Sequence, residues 1–340
     1  MSTKKSTIVI SSVAAATLLL AACGGDGDNG GGSGDASGKT MRLALNQTEE
    51  HPSYVALDHF NDYLEENTDG WGIDVFPNET LGAQAEAMQL VSDGSVDMAI
   101  VSGPQLENLN SDFTVFNLPK VFDDVDHQMS VIHDQEIVGD LYSSLEESES
   151  ITVLGGFTQG ARSVYTKDGA ITTPADLNGQ KLRVQESPLN IAIAEALGAS
   201  ATPMAYGELY TGLQSGVVDA AENNEVSYFT QRHYEVAPYW SYTNHLVGLD
   251  YLIINSDVLA EMSDEDRAAF DEGWQAAYEE HTQLWADATQ EAIEGAEAGG
   301  ATFSEVDDAA FTEPLVALAD EFITNESQQA LYDAARAAAE

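Results

Sequence analysis

Apolar and polar residues alternate from residue 41 to 46, a two-residue period that predicts a strand. Over residues 52 to 66 the period lengthens. Ala56, Leu57, Phe60, Tyr63 and Leu64 recur at three- and four-residue steps, the spacing of one helix face, and Pro52 suits the first turn. Residues 72 to 76 read as the next strand, 83 to 93 as a helix, and 96 to 101 as a short buried strand after the turn at Asp93 and Gly94. A helical pattern covers 127 to 147, and 151 to 155 is again strand-like. The same rhythm restarts after Gly160, with helices near 188 to 197 and 206 to 215 and a strand at 217 to 220. Strands alternating with helices at this interval predict βαβ units, a largely parallel sheet and two α/β domains.

From residue 264 to about 297, Phe270, Trp274, Tyr278, His281, Trp285, Ala288 and Ala292 follow one another at steps of 4, 4, 3, 4, 3 and 4. That is one apolar stripe on a single helix. At 1.5 Å per residue the helix is roughly 50 Å long, more than the width of one domain, so it is expected to brace both. His281 sits on this stripe between tryptophans and reads as a packed core histidine rather than a ligand. No unit of 20 to 50 residues repeats, which excludes a solenoid.

The first residues are organised differently. Lys4 and Lys5 precede an apolar run from residue 8 to 22, which ends at the only cysteine in the order Leu20-Ala21-Ala22-Cys23. The run falls short of the roughly 20 apolar residues that cross about 30 Å of hydrocarbon, so residues 1–22 read as a signal peptide. The tetrad resembles the lipobox of bacterial lipoproteins, which implies that Cys23 is lipidated; a buried thiol is the competing reading. A single cysteine excludes internal disulfides, and no Cys/His spacing suits a metal. Residues 24 to 39 contain no apolar side chain larger than alanine and read as a flexible tether, with the folded body beginning near Thr40.

The formal charge of −46 arises from 58 acidic and 12 basic residues. Nucleic acid is excluded as a partner. The 43% hydrophobic content and its regular periodicity argue against disorder. The remaining account is a solvated acidic surface of the halophilic kind, whose self-repulsion is screened only in abundant salt. Beyond the tether the basic residues are Arg42, Lys120, Arg162, Lys167, Lys181, Arg183, Arg232, Arg267 and Arg336, and four of the nine lie between 162 and 183. For Lys167 and Lys181 a surface ion pair suffices. Arg162 and Arg183 lie in strand-like stretches, and the planar guanidinium can grip a carboxylate through two parallel hydrogen bonds that lysine cannot reproduce.

Several blocks in order carry a resemblance: Gly160-Ala-Arg162; Thr173-Pro-Ala-Asp-Leu-Asn-Gly-Gln-Lys-Leu-Arg183-Val; Thr202-Pro-Met-Ala-Tyr206; and Asp219-Ala-Ala-Glu222-Asn223-Asn224. Together they resemble the signature region of the TRAP-transporter substrate-binding proteins, the DctP family. The similarity runs on through Tyr234-Glu-Val and Thr243-Asn-His245 and covers the chain after the tether. It implies an α/β, two-lobed periplasmic-binding-protein-like fold with a long helix spanning both lobes. Lobe I would be 40–159 plus 249–288, and lobe II 160–248 plus 289–340. It further implies that Arg183 grips the ligand carboxylate, with Arg162, Asn223, Tyr206 and Asn46 as the other recurrent contacts. Many relatives carry Asp-Gly-Gln-Glu-Asn-Pro where this chain has Asp219-Ala-Ala-Glu-Asn-Asn224, a change that leaves Asn223 in place.

The Glu222-Asn223-Asn224 variant, with Arg183-Val-Gln185 and Arg232-His-Tyr-Glu-Val, is similar to members that bind uronates such as glucuronate and galacturonate. A uronate needs one carboxylate clamp and many partners for hydroxyls, which Asn46, Gln159, Gln185, Asn223 and Asn224 can supply. His51 is a further candidate, with a solvent-facing place at a helix start as the competing reading. A C4-dicarboxylate or 2-oxo acid remains the alternative ligand, and Arg162 would then be a second clamp. The expected protein is a monomeric, cofactor-free lipoprotein in the periplasm or on the outer cell face, passing its solute to integral-membrane TRAP subunits. No Gly-x-Ser-x-Gly, His-Glu-x-x-His or phosphate-loop motif marks an enzyme. Acid pairs such as Glu65-Glu66 read as solvated surface. An exported polyuronide-directed glycosidase and a protein presenting ligand to a sensor are the rival classes.

Overall fold

The computed structural model describes residues 38–339. The expected signal peptide, Cys23 and all of the tether but its last two residues lie outside them. Those two are already bonded to the body: Gly38 N donates to Asp69 O at 3.0 Å, and Lys39 Nζ pairs with Asp97 at 2.9 Å.

Among the described residues nine strands form one sheet: β1 (Thr40–Ala44), β2 (Gly72–Phe76), β3 (Met98–Ser102), β4 (Ile151–Thr166), β5 (Lys181–Val184), β6 (Ser200–Pro203), β7 (Ala220–Asn223), β8 (Tyr239–Asn255) and β9 (Thr302–Ser304). Their order is β2-β1-β3-β8-β4-β7-β5-β6, with β9 alongside β8. At one end β1 pairs in parallel with β2 and β3, and at the other β5 pairs in parallel with β6 and β7. The expected parallel pattern thus describes each end. The middle differs, because β4 and β8, of 16 and 17 residues, lie antiparallel to each other and to β7 and β3 respectively, while short β9 runs parallel to β8.

Two predicted elements are redrawn. The pattern at 127 to 147 is three helices, Val125–Ile132, Gln135–Ser143 and Glu146–Glu149. Asp134 adopts an extended backbone and accepts from Glu136 N, which starts a new helix where the apolar spacing alone shows no break. The strand predicted at 217 to 220 begins at Ala220 instead; Gly216 turns the chain at φ 76° and leaves Val217 exposed.

The long helix runs Asp264–Ala298. Ser263 caps it, and Asp264, Glu265 and Asp266 complement the positive end of its dipole. Phe270 and Trp274 bury against Phe60 of helix Pro52–Asn67, with the rings of Phe60 and Phe270 5.2 Å apart. Farther along, Trp285 and Ala292 pack on Val226 of helix Glu225–Thr230. Each large side chain so buried contributes roughly 1.5–3 kcal/mol, enough to fasten the helix at both ends of the sheet. His281 is buried and stacks on Phe157 at 4.2 Å, as a core residue does.

The pairing of β4 with β8 slips at three places between Val153 and Val164. Gly160 lies within this stretch at φ 62°, and a Cβ there would stand 2.5 Å from Trp285 Nε1. Only glycine allows the strand to bend against the long helix, and the bend sets the direction of Arg162 two residues on.

Candidate ligand-binding site

Arg162 on β4 faces Glu222 on β7, its close neighbour in the sheet. Its Nε and Nη2 donate to the two Glu222 carboxylate oxygens at 2.6 and 2.7 Å, and its Nη1 donates to Asn223 Oδ1 at 2.9 Å and to Gln159 Oε1. Burial opposes charge on both partners. Glu222 overrides it and raises the Arg162 pKa, while Arg162 and His245 hold the Glu222 carboxyl well below the carboxylate range. His245 Nε2 lies 3.5 Å from Glu222. Gln159 is engaged in the same network, donating to Asp250 Oδ1, and burial pushes the Asp250 carboxyl up to about 6. Every nitrogen of the Arg162 guanidinium is therefore occupied within the protein.

Arg183 on β5 is 2% exposed, and its surroundings differ. Nε and Nη2 both donate to Met204 O, at 3.0 and 2.8 Å, while Nη1 has no protein acceptor. The guanidinium lies 6.0 Å from the centre of the Tyr206 ring. Burial pulls its pKa below the ordinary arginine value, though an arginine stays protonated. A buried cation with one donor unused calls for an anion.

Arg183, Gln185 and Tyr206 line one wall of a cleft whose opposite wall is Glu79, Gln84, Ser102 and Gln105. Tyr206 OH donates across to Gln47 Oε1 at 3.3 Å, and Asn108 Nδ2 donates to Glu186 O at 3.0 Å. The space between the walls is 20 Å³, far below the few hundred that a small-molecule site encloses, so the two ends of the sheet must part for a solute to enter.

The other candidates divide into two groups. Asn46, at the end of β1 beside Gln47, is buried with Oδ1 lacking a protein partner. His51 is 1% exposed, not solvent-facing; its Nδ1 accepts from Ser53 N at 3.2 Å, and burial brings its pKa down to about 3. The ring is thus neutral with its proton on Nε2, a donor that has no protein acceptor. Both offer unused polar atoms. Asn224, in contrast, caps helix Glu225–Thr230 through Ser227 N and donates to Asn223 Oδ1. Asn223 Oδ1 serves Arg162 and Asn224, so its amide nitrogen is the end left to meet a solute.

Sequence reasoning gave no role to Glu222, Gln47, Gln84, Gln105 or Glu79. Glu222 had a signal, being an acid in a strand that pairs with an arginine-bearing one. Gln47 and Glu79 follow the ends of β1 and β2, where no period assigns a direction.

Among the described residues no helix is long and apolar enough to cross a membrane, and no group of His, Cys, Asp and Glu is arranged to hold a metal.

A family model described as bacterial extracellular solute-binding protein, family 7, DctP, matches residues 43–326. A solute-binding protein of Chromohalobacter salexigens is 34% identical over 275 residues, covering 80% of this chain and 81% of its own. Among solved structures, a TRAP periplasmic solute-binding protein of Anaerococcus prevotii with bound α/β-D-glucuronate superposes with a TM-score of 0.84 at 36% identity, covering 88% of this chain and 98% of its own. One of Xanthobacter autotrophicus with bound β-D-galacturonate gives 0.83 at 30% identity, covering 88% and 99%. The shared fold and the family match define a solute-binding protein of the periplasmic type. The chain belongs to the DctP family, the extracytoplasmic, non-enzymatic solute-binding proteins of TRAP transporters, which work with membrane subunits.

Proposed function

We propose that the protein captures a uronate such as glucuronate or galacturonate and holds its carboxylate on Arg183. The observation that carries this reading is the unused Nη1 of a buried guanidinium, in a cleft that also presents the amides of Gln84, Gln105 and Gln185 and the hydroxyls of Ser102 and Tyr206. Charge-assisted hydrogen bonds contribute roughly 1.5–3 kcal/mol each, so a two-bond grip provides about 3–6 of the ~8 kcal/mol of micromolar binding. Asn46, His51, Asn223, Gln185 and Tyr206 would meet the ring hydroxyls. Gln159 and Asn224 would act from behind, since their side chains are engaged within the protein. The saturation of Arg162 by Glu222 counts against a C4-dicarboxylate, which needs a second cationic grip. The uronates held by the Anaerococcus and Xanthobacter proteins support the same choice.

The chain would work as a monomer, lipid-anchored through Cys23 after loss of residues 1–22, with an acid-rich surface suited to salt. Lobes 40–159 plus 249–288 and 160–248 plus 289–340 would close on the solute about the bent middle of β4 and β8. The test is thermal denaturation with D-glucuronate, D-galacturonate, succinate and pyruvate. A ligand at a hundred times its dissociation constant adds about 2.7 kcal/mol to apparent stability, so the uronates should raise the melting temperature. A rise with succinate or pyruvate and none with either uronate would sink the reading.

A further inference from the structure

Glu79 stands in the cleft with no role in gripping a carboxylate, and its position is unusually constrained. It follows β2 in a turn where Asn78 and Glu79 both take left-handed backbone, φ 58° and 55°. Asn78 N donates to Gln47 O at 3.0 Å and Glu79 N donates to Leu45 O at 3.1 Å, which ties the turn to the segment carrying Asn46. From there the side chain crosses the cleft to Gly207, whose backbone N–H favours the ionised carboxylate. A Cβ on Gly207 would lie 2.3 Å from Glu79 Oε2, so a larger residue at 207 would push the carboxylate aside. Burial raises the Glu79 pKa, an effect opposed by the Gly207 N–H and by Arg183. Arg183 is the one cation lining this cleft, and Glu79 faces it from the opposite wall. A monoanion satisfies the arginine; a dianion brings a second charge into a space already lined by the carboxylates of Glu79 and, on the side of Arg183, Glu186.

We infer that Glu79 is a selectivity residue that admits solutes with one carboxylate and a neutral hydroxylated far end and turns away those carrying a carboxylate at both ends. The inference rests on the uronate reading and refines it. Like charges a few ångströms apart at a protein surface repel strongly enough to shift affinity at least about tenfold, and salt screens the effect.

The probes are D-gluconate and D-glucarate, open-chain acids that differ in whether the far carbon is an alcohol or a carboxylate, with D-glucuronate as reference. Titration calorimetry should show gluconate favoured over glucarate by the wild type, by a ratio that shrinks as sodium chloride rises. Glu79→Gln keeps an oxygen for Gly207 N–H and removes the charge. It should lower that ratio at least about tenfold, flatten its salt dependence and change glucuronate affinity by only about twofold. Gly207→Ala, which displaces the carboxylate, should move the ratio in the same direction. A ratio unchanged in Glu79→Gln while glucuronate still binds overturns the inference and spares the uronate reading. Loss of all binding by Glu79→Gln with an unaltered melt makes Glu79 a ligand contact and also overturns it. Failure of the wild type to bind glucuronate, with gluconate and glucarate still separated by Glu79, sinks the uronate reading alone. If none of the three acids binds the wild type, both fall.

Discussion

Arg162 and Arg183 are both buried arginines, on the two strands that flank β7 in the sheet, and their surroundings are opposites. Arg162 has a buried carboxylate in two-bond geometry, two side-chain amides, and a histidine behind that carboxylate. Arg183 leans on one main-chain carbonyl and has a donor to spare. A buried charge that is fully paired is satisfied by the architecture, whereas one that is half paired keeps a donor without a partner. Both lie in the signature region with equal prominence, so the contrast becomes visible only when the partners are counted.

The largest effect expected from this contrast is on binding. Arg183→Ala should remove about 3–6 kcal/mol of uronate affinity, enough to put micromolar binding beyond calorimetric detection, while circular dichroism and the thermal melt stay as they were. Arg183→Lys should restore little, because a lone ammonium cannot form the fork. Micromolar affinity in the alanine variant would mean that the two arginines have been assigned the wrong way round.

Next comes stability. Arg162→Met strands Glu222 as an uncompensated buried carboxylate and should cost about 3–5 kcal/mol in denaturant titration. Adding Glu222→Gln should recover part of the loss, since the stranded charge is then gone. A single variant as stable as the wild type would show that the pair is not structural.

The third test asks what happens to a buried charge given no opposite partner at all. Glu107 is 8% exposed, accepts from Asn117 Nδ2 at 2.8 Å and also contacts Ser187, and burial pushes its carboxyl up to about 8. The folded protein therefore keeps a proton that the unfolded chain loses above about pH 4.5, so stability falls as pH rises from there to about 8. Glu107→Gln should match the wild type below about pH 4 and exceed it above pH 8 by on the order of 5 kcal/mol. Glu225, pushed up to about 7, and Asp250 titrate in the same window, so the difference between variant and wild type is the quantity to read. Curves that run parallel at all pH values would show that Glu107 is ionised in the fold.

Much of this molecule is legible from residue spacing. The stripe Phe270, Trp274, His281, Trp285 locates the long helix, because a helix that brackets a whole body keeps its period over many turns. The helix at 127 to 147 misleads because a cap such as Asp134 restarts the backbone without disturbing the apolar period. For the site, the scarcity of positive charge isolates Arg162 and Arg183, but scarcity carries no information about pairing. His51 is ambiguous in sequence because a histidine before a proline can cap a helix either in solvent or, as here, in the interior. Glu79 is hidden among 58 acids, and only the backbone of one turn makes it different from the rest.

The ladder that runs, with three slips, from Ile151 opposite Asn255 to Thr166 opposite Tyr239 has a thermodynamic consequence. Because the same two strands run through both ends of the sheet, melting one end strips partners from the other, and heat should unfold the body in one cooperative step. A solute gripped from one side should then slow amide exchange along β4 and β8 as far as the opposite rim.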